Sequence, residues 1–119
     1  MAYKHDGKKP VVTKNAPIDP DGTDWEFFYY DNWLRVGESI IDHSALITNG
    51  IIVTDSTYIG TMVDDAGVSH DQTYGVQYKA VPGATTITLT HRVSTSTIGA
   101  IDLGRIDIDH SVIIPVQTL

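Results

Sequence analysis

Hydrophobic and polar residues alternate along most of the chain after residue 23, with the period of two that is typical of β-strands. In Thr85–Ser94, the residues Ile87, Leu89, His91 and Val93 share one face, and mainly threonines share the other. This pattern predicts a half-buried strand of an antiparallel sheet. Further strands are predicted at Trp25–Tyr30, Ser39–Thr48, Ile51–Thr57, Tyr58–Val63, Gly75–Ala80 and Ile106–Val116. No window has helical periodicity with capping residues, so the sequence predicts an all-β protein.

Turn residues and composition refine this prediction. Asn49-Gly50 predicts a tight hairpin, because Asn and Gly adopt positive φ at little cost. Pro82-Gly83 predicts a type II turn. Val, Ile and Thr make up about a third of the chain, whereas Glu occurs twice and Leu five times, which favours strands over helices. About seven short strands with turns between them predict an immunoglobulin-like antiparallel β-sandwich.

The N-terminal segment differs from the rest. Residues 1–23 are polar, contain Pro10, Pro17 and Pro20, and show almost no alternation. We therefore expect an extended N-terminal arm over residues 1–23 and a β-sandwich domain over residues 24–119. Half of the eight basic residues lie in this arm, at Lys4, Lys8, Lys9 and Lys14. A basic arm on an acidic body could contact an acidic neighbour, or it could be a solvated tail.

Charge and composition exclude several classes of protein. The net charge is −7 and the pI is about 4.9, and an acidic body argues against nucleic-acid binding. No apolar run is long enough to cross a membrane, and the N-terminus lacks the apolar segment of a secretory signal. The chain has no Cys, which excludes disulfides and cysteine-based metal sites. We expect a protein that is made in the cytoplasm and needs no membrane.

Several short motifs resemble a family of small virion proteins of tailed bacteriophages. They are Asp24-Trp25, then Asn32-Trp33-Leu34 with Gly37-Glu38 and Ile40, then Asn49-Gly50-Ile51, then the segments GATTITLTHRVST (83–95) and DHSVIIPV (109–116). The resemblance covers about Asp24 to Val116. It departs from the family pattern at Ile87, where an aromatic residue is usual, and at His110, where a basic residue is usual. The resemblance implies an immunoglobulin-like sandwich that serves as a fiber-tail adaptor or as a tail or head accessory protein, with no catalytic residues.

Six of the ten aromatic residues cluster between residues 25 and 33. Alternation places Trp25, Phe27 and Tyr29 on one face of a strand, and Phe28 and Tyr30 on the other. If that strand lies at a sheet edge, one aromatic face becomes a candidate interface, since aromatic residues are favoured at interface centres. Otherwise both faces are buried within the monomer. The candidate interface residues are Trp25, Phe28, Tyr30, Trp33, Lys8 and Lys9.

The other groups of polar residues predict neither a metal site nor a catalytic site. The run DPDGTD (19–24) has oxygen ligands but not the spacing of a calcium loop, and such clusters usually form turns. His91 and His110 could approach if their strands pair, and we expect two satisfied core histidines, with a mild pH sensitivity of folding, rather than a zinc site. No Ser or Thr has a recognisable catalytic base. The sequence therefore predicts no enzyme, no metal and no cofactor.

The function that we expect is structural. The chain is predicted to be a virion component of a tailed phage, made in the host cytoplasm, that joins tail or head-to-tail parts to fibers. Its predicted partners are other virion proteins (tail, adaptor, fiber or capsid) and further copies of itself in a homo-oligomer. The alternatives are a capsid decoration protein, or a carbohydrate- or receptor-binding sandwich that uses loops such as Val63–Tyr74.

Overall fold

The computed structural model describes residues 12–14, 17–96, 104–105 and 108–117, and all the regular secondary structure in these residues is β-strand. Seven strands follow one another along the chain: β1 (Val12–Thr13), β2 (Thr23–Tyr29), β3 (Ile40–Thr48), β4 (Gly50–Val63), β5 (Ser69–Ala80), β6 (Thr86–Thr95) and β7 (Ile108–Pro115). The prediction of an all-β protein is confirmed.

The strands form two sheets that enclose one hydrophobic core. One sheet has the order β1-β7-β6-β3 and the other has the order β2-β5-β4. All the pairs are antiparallel except β1 with β7, which is parallel. The predicted β-sandwich is confirmed. The neighbour orders β2-β5-β4 and β3-β6-β7 match strands B-E-D and C-F-G of immunoglobulin domains. The immunoglobulin-like assignment itself stays a prediction.

The alternation seen in the sequence defines the core. On β6, Ile87, Leu89 and Val93 are buried, and on the partner strand β7, Val112 and Ile114 are buried as well. Each strand contributes every second side chain to the space between the sheets, because successive side chains point to opposite faces of a strand. The burial pattern of these two strands is therefore the one that the sequence predicts.

The turn at Asn49 differs from the prediction. Asn49 has a φ of 62°, as expected for this residue in a turn. However, β3 pairs with β6 and β4 pairs with β5, so the two flanking strands belong to different sheets and form no hairpin. A two-residue type I′ hairpin needs positive φ at both central residues, and here Asn49 alone has it. The chain therefore turns from the edge of one sheet to the edge of the other.

The second sheet contains one strand where two were expected. The segments predicted as Ile51–Thr57 and Tyr58–Val63 join into the 14-residue strand β4, whose register with β5 shifts at four places. The expected long loop Val63–Tyr74 is a short turn, because β5 begins at Ser69. The turn at Pro82-Gly83 is confirmed, since Gly83 has a φ of 83° and Ala84 N donates to Val81 O over 3.1 Å.

The described part of the predicted N-terminal arm is extended, but it lies against the sandwich. Thr13 pairs with Ile113 of β7, and Lys14 N donates to Ile113 O over 2.9 Å. Ile18 is buried and forms a bridge with Val116. Backbone pairing thus holds residues 12–14 and Ile18 against the C-terminal part of the same chain, and the expected boundary after residue 23 stays a prediction.

Candidate interaction surface

Three of the predicted interface residues are core residues. Phe28 and Tyr30 are 0% exposed and Trp33 is 2% exposed, so none of them can contact another protein. Their face of β2 points towards the opposite sheet, where Phe28 packs against the ring of His91 at 5.0 Å. The prediction for Phe28, Tyr30 and Trp33 was wrong. Alternation gave the two faces of the strand correctly, but it could not tell which face the second sheet covers.

Trp25 lies on the opposite face of β2 and is half-buried. Its ring is parallel to that of Phe27 to within 4°, with the ring centroids 6.1 Å apart. Both rings lie beside Gly75 on β5, where a Cβ atom would come within about 3.2 Å of them. A groove of about 490 Å³ borders this face and is lined by Trp25, Phe27, Tyr29, Asp64 and Asp65, among others. Lys8 and Lys9 lie outside the described residues.

A group of exposed apolar residues lies elsewhere, on strands β3 and β4. Each of these strands is an edge strand of its sheet, and the two edges lie next to each other. We call this surface the β3–β4 side and define it by the exposed hydrophobic residues of the two strands: Ile41, Leu46, Ile51, Val53, Tyr58, Ile59 and Val63. The exposed fractions range from 41% for Ile59 to 68% for Ile41. Exposed apolar residues that are grouped on neighbouring strands are candidates for an interaction site.

The β3–β4 side was missed by the sequence analysis, although a signal was present. Ile40-Ile41 and Ile51-Ile52-Val53 are consecutive apolar residues within strands. Such a run must place apolar side chains on both faces of its strand. Because the sandwich has two layers, the second face of the strand is the outer face of its sheet and faces solvent. Ile52 is accordingly packed against the core, while Ile51 and Val53 are exposed.

The charged residues of β3 and β4 themselves have one sign, although Lys79 of β5 lies beside Ile51. Between Arg35 and Lys79 the chain contains no Lys or Arg, and it contains six carboxylates. Asp42 on β3 and Asp55 on β4 are both exposed. They precede His43 and Ser56, whose Nδ1 and Oγ atoms are 2.6 Å apart across the two strands. Because His43 and Ser56 point inward, Asp42 and Asp55 point away from the core, each from its own sheet.

Neither strand has a lysine to protect its edge from other strands, although lysine is a common protection of this kind. On β4 the four register shifts serve this purpose instead, because bulges twist an edge and interrupt its row of hydrogen-bonding groups. On β3 the pairing is regular from Asp42 to Thr48. The edge of β3 is thus the more accessible of the two for backbone pairing with a partner.

Behind the β3–β4 side, a hydrogen-bonded chain links the two sheets. The Tyr30 hydroxyl is 2.8 Å from His91 Nδ1, and His91 Nε2 is 2.6 Å from Ser56 Oγ. Ser56 continues the chain to His43. Burial raises the pKa of Tyr30, so its hydroxyl keeps its proton and can donate to His91. Both ring nitrogen atoms of His91 then have a partner, which fits a structural role for this buried residue.

His91 and His110 lie opposite each other, as the sequence analysis anticipated for paired strands. They are direct partners in the β6–β7 ladder. Both rings approach the ring of Phe28, with centroid distances of 5.0 Å in each case. Among the described residues no group of three or more His, Asp or Glu side chains has the arrangement of a metal site.

The run DPDGTD forms a turn held by its own carboxylates. Asp21 N donates to the Asp19 side chain over 2.9 Å, and Gly22 N donates to the Asp19 carbonyl over 3.2 Å. Asp24 accepts a hydrogen bond from Trp25 N. This is the hydrogen bonding of an Asx turn, in which an aspartate side chain replaces a backbone acceptor.

The β4–β5 hairpin tip is held by an ion pair. His70 Nε2 is 2.7 Å from Asp64, its Nδ1 is 2.9 Å from Asp31, and its ring stacks on Tyr29 at 4.0 Å. The hydrogen bonds to Asp64 and Asp31 raise the pKa of His70. The Asp64 carboxylate also accepts hydrogen bonds from the backbone N–H groups of Ala66 and Val68. The tip is therefore preorganised.

Glu38 and Arg105 form a buried ion pair at another point of the fold. We call Trp33, Glu38, Thr95 and Arg105 the Glu38 cluster. Arg105 bonds Glu38 through two nitrogen atoms and lies 4.3 Å above the Trp33 ring, while Thr95 donates to Glu38 over 2.5 Å. Burial by itself would raise the pKa of Glu38, but the hydrogen bonds from Arg105 and Thr95 lower it to about 2. Glu38 is thus ionised and fully paired.

Comparisons with known proteins leave the fold and the surface as the basis for a functional proposal. No model of a protein family matches the chain, and neither a curated protein nor a solved structure matches it. In the part of the chain that the structure describes, no helix is long and apolar enough to cross a membrane.

Proposed function

We propose that this chain is a structural subunit of a larger assembly, and that the β3–β4 side is the surface by which it docks. One observation carries this proposal: two edge strands on the same side of the sandwich expose seven large hydrophobic residues with no basic residue among them. An exposed apolar edge of this kind promotes aggregation of an isolated domain. A permanent partner protein prevents this aggregation by covering the surface.

The neighbour has a defined chemistry. The fully buried centre of a protein interface is more apolar than the rest of the surface, and its rim is polar. Leu46, Val53 and Ile59 supply the apolar centre, while the exposed carboxylates of Asp42 and Asp55 place negative charge beside it. The partner surface should therefore be apolar with basic residues at its border.

The assembly that we propose is the virion of a tailed bacteriophage, in which the chain joins tail or head-to-tail parts to fibers. The resemblance of the sequence motifs to small virion proteins supports this. In the structure several residues of those motifs have folding roles: Trp33 is buried, Glu38 pairs with Arg105, and Gly83 forms a turn. The resemblance is therefore first an argument for a shared fold. A capsid decoration protein is the alternative role within the same proposal. No enzymatic step is part of it.

Quantitative mass spectrometry of purified particles tests this function. We expect the wild-type chain in a fixed ratio to the other virion proteins. Val53→Asp should fold but be missing from the particles, because a carboxylate replaces part of the apolar centre. Val36→Asp is the matched control, since Val36 is 76% exposed and lies outside β3 and β4. Absence of the wild-type chain from the particles, or equal incorporation of both variants, would overturn the proposal.

A second function, binding of a carbohydrate receptor, is favoured by the groove beside Trp25 and Phe27. Half-exposed aromatic rings offer flat apolar contact area, and the nearby carboxylates of Asp64 and Asp65 can accept hydrogen bonds from hydroxyl groups. A glycan array with the wild-type protein and Trp25→Ala tests it. We expect the glycans that bind the wild-type protein not to bind Trp25→Ala. An array with no signal for the wild type would exclude this function.

A further inference from the structure

We infer that the groove beside Trp25 and Phe27 binds amino sugars, whose rings lie on the aromatic side chains and whose protonated amine lies at the carboxylate of Asp65. This inference rests on the second function proposed above, because it names the ligand class of the same groove. It goes beyond that function in requiring a cationic group, which neutral sugars lack. The groove volume of about 490 Å³ is within the range of small-molecule sites.

The aromatic wall of the groove is the first argument. Gly75 on β5 lies opposite Phe27 in the β2–β5 ladder and has no side chain to fill the space above it. The rings of Trp25 and Phe27 take this space, since a Cβ atom at Gly75 would come within about 3.2 Å of both. The two rings are parallel to within 4°, so they present flat apolar faces in one orientation. Such faces complement the flat C–H face of a sugar ring.

Charge is the second argument. Among the described residues that line the groove there are three carboxylates, of Glu26, Asp64 and Asp65, and one basic residue, Lys14. Lys14 Nζ lies 2.8 Å from the Glu26 carboxylate, so these two charges compensate each other. Burial raises the pKa of the Tyr29 hydroxyl, and the three carboxylates raise it further. The negative charges thus act together at one part of the groove wall, where they favour a cation over a neutral group.

Asp65 is the carboxylate that remains for a ligand. The Asp64 carboxylate accepts hydrogen bonds from two backbone N–H groups of the turn and pairs with His70. His70 also contacts Asp31, so its protonated form neutralises one of these two aspartates. The Asp65 side chain is exposed, and no described residue donates a hydrogen bond to it. The turn that Asp64 holds in place therefore presents Asp65 to the groove as a counter-ion for an amine.

The length of the site favours a sugar chain over a single basic side chain of a protein. Trp25, Phe27 and Tyr29 follow one another on the outer face of β2. The hairpin tip lies at the Tyr29 end of this row, because His70 stacks on Tyr29 at 4.0 Å. A lysine or arginine side chain would use one ring and one carboxylate and leave the rest of the row unoccupied. An oligosaccharide can place successive rings along the row and an amine at its acidic end.

Isothermal titration calorimetry with two β-1,4-linked tetramers tests this inference, one of glucosamine and one of glucose. Their rings are alike, but a hydroxyl group of glucose replaces each amine, and a mildly acidic buffer keeps the amines protonated. We expect the glucosamine tetramer to bind about fivefold more tightly. Equal affinities would overturn the requirement for a cation and leave binding of neutral carbohydrate as the function of the groove. Absence of binding by both tetramers would overturn the inference and the carbohydrate function together.

Three variants separate the groove from the general negative charge of the protein, and urea denaturation checks that each is folded. Asp65→Asn should weaken binding of the glucosamine tetramer by about fivefold and leave that of the glucose tetramer unchanged. Asp71→Asn is the matched control, since Asp71 is exposed on the same hairpin but does not line the groove. Trp25→Ala should weaken binding of both tetramers by about tenfold. Equal losses for Asp65→Asn and Asp71→Asn would show that net charge attracts the amine, which would overturn the inference.

A tetralysine peptide is the last ligand, because it carries amines without sugar rings. We expect it to bind more weakly than the glucosamine tetramer. Binding as tight as that of the glucosamine tetramer, with the same loss in Trp25→Ala, would assign the groove to a basic protein segment and overturn the assignment to amino sugars.

Discussion

The Glu38 cluster and the β3–β4 side are the two regions of this molecule that differ most. In the Glu38 cluster a charged residue is taken fully out of water, and its carboxylate is bonded by Arg105 and Thr95. On the β3–β4 side the carboxylates and the aliphatic side chains both face outward, as the exposure of Asp42 and Ile41 shows. The first region pairs its buried charges within one chain, and the second leaves apolar side chains exposed to solvent.

This difference separates the residues that stabilise the fold from the residues that are available for association. A buried charge must find its partners when the chain folds, because an unpaired buried charge costs several kcal/mol. An exposed aliphatic residue carries no comparable penalty in the monomer, so evolution can retain it for binding. Substitutions in the interior should therefore change stability, whereas substitutions on the β3–β4 side should change association. The predictions that follow test this division, from the largest expected effect to the smallest.

The largest loss of stability is expected for Phe28→Ala. Phe28 is fully buried between the sheets, and its removal leaves a cavity against His91 and His110. We expect the free energy of unfolding to fall by about 4 kcal/mol. Urea denaturation measures this change. Trp25→Ala on the outer face of the same strand is the control, and a loss as large as that of Phe28→Ala would show that both faces of β2 are equally important for the core.

Arg105→Met should be nearly as destabilising, with a loss of about 3 kcal/mol, because the buried Glu38 carboxylate loses its buried cation and keeps the longer 3.3 Å contact with Arg35. The double variant Glu38→Leu/Arg105→Met should recover much of this stability, since no buried charge is then left without its partner. The pH dependence provides a check. The folded pKa of Glu38 is about 2 and its ordinary value is 4.5, so the stabilisation is present above pH 4.5 and is lost as the pH falls towards 2. Arg105→Met should weaken that acid dependence.

Substitution of His70 should have a smaller effect on stability. Its pH dependence should be opposite to that of Glu38. The folded pKa of His70 is raised above the ordinary value of 6.5 by Asp64 and Asp31. The stabilisation is therefore complete below pH 6.5 and is lost as the pH rises through the raised pKa. We expect His70→Asn to flatten the stability profile in that range and to increase the mobility of the hairpin tip. Thermal denaturation from pH 5 to pH 9 measures the profile, and an unchanged profile would assign the pH dependence to another group.

The smallest effect on stability is expected for Leu46→Ser on the β3–β4 side. Leu46 is 45% exposed, and a substitution at such a site should change the free energy of unfolding by no more than about 0.5 kcal/mol. The same substitution should measurably weaken self-association and incorporation into particles. A loss of stability comparable to that of Phe28→Ala would mean that Leu46 belongs to the core, and the contrast between the two regions would then be wrong.

Much of the fold could be predicted from local pattern. Alternation in residues 85–94 gave the inward face of β6, and Pro82-Gly83 gave a turn that the φ of Gly83 confirms. Both features depend on neighbours in the sequence: side-chain direction follows from strand geometry, and a positive φ follows from the residue type. The same reasoning placed His91 and His110 on the apolar faces of their strands. It therefore identified the inward faces of β6 and β7, but not that of β2, since the core residues Phe28 and Tyr30 were predicted as interface residues.

The candidate site could not be predicted in the same way. Phe28 and Trp25 lie three residues apart in one aromatic cluster, yet one is in the core and the other is on the outer face. Nothing in their local sequence tells which face of β2 the other sheet covers. Asn49-Gly50 likewise predicts a turn, but the pairing of β3 with β6 rather than with β4 is a long-range choice. Strand neighbours determine which strands become edges, and thus which apolar residues remain exposed.

The sequence by itself determined the all-β character, the approximate positions of β2, β3, β6 and β7, the acidic body and the uneven distribution of basic residues, because each depends on residue type and spacing alone. The tertiary structure decided the pairing of Glu38 with Arg105, the burial of Phe28, Tyr30 and Trp33, and the exposure of the β3–β4 side. These depend on contacts between residues far apart in the chain. A period of two gives each strand two faces, and the packing of two sheets decides which of them is inside.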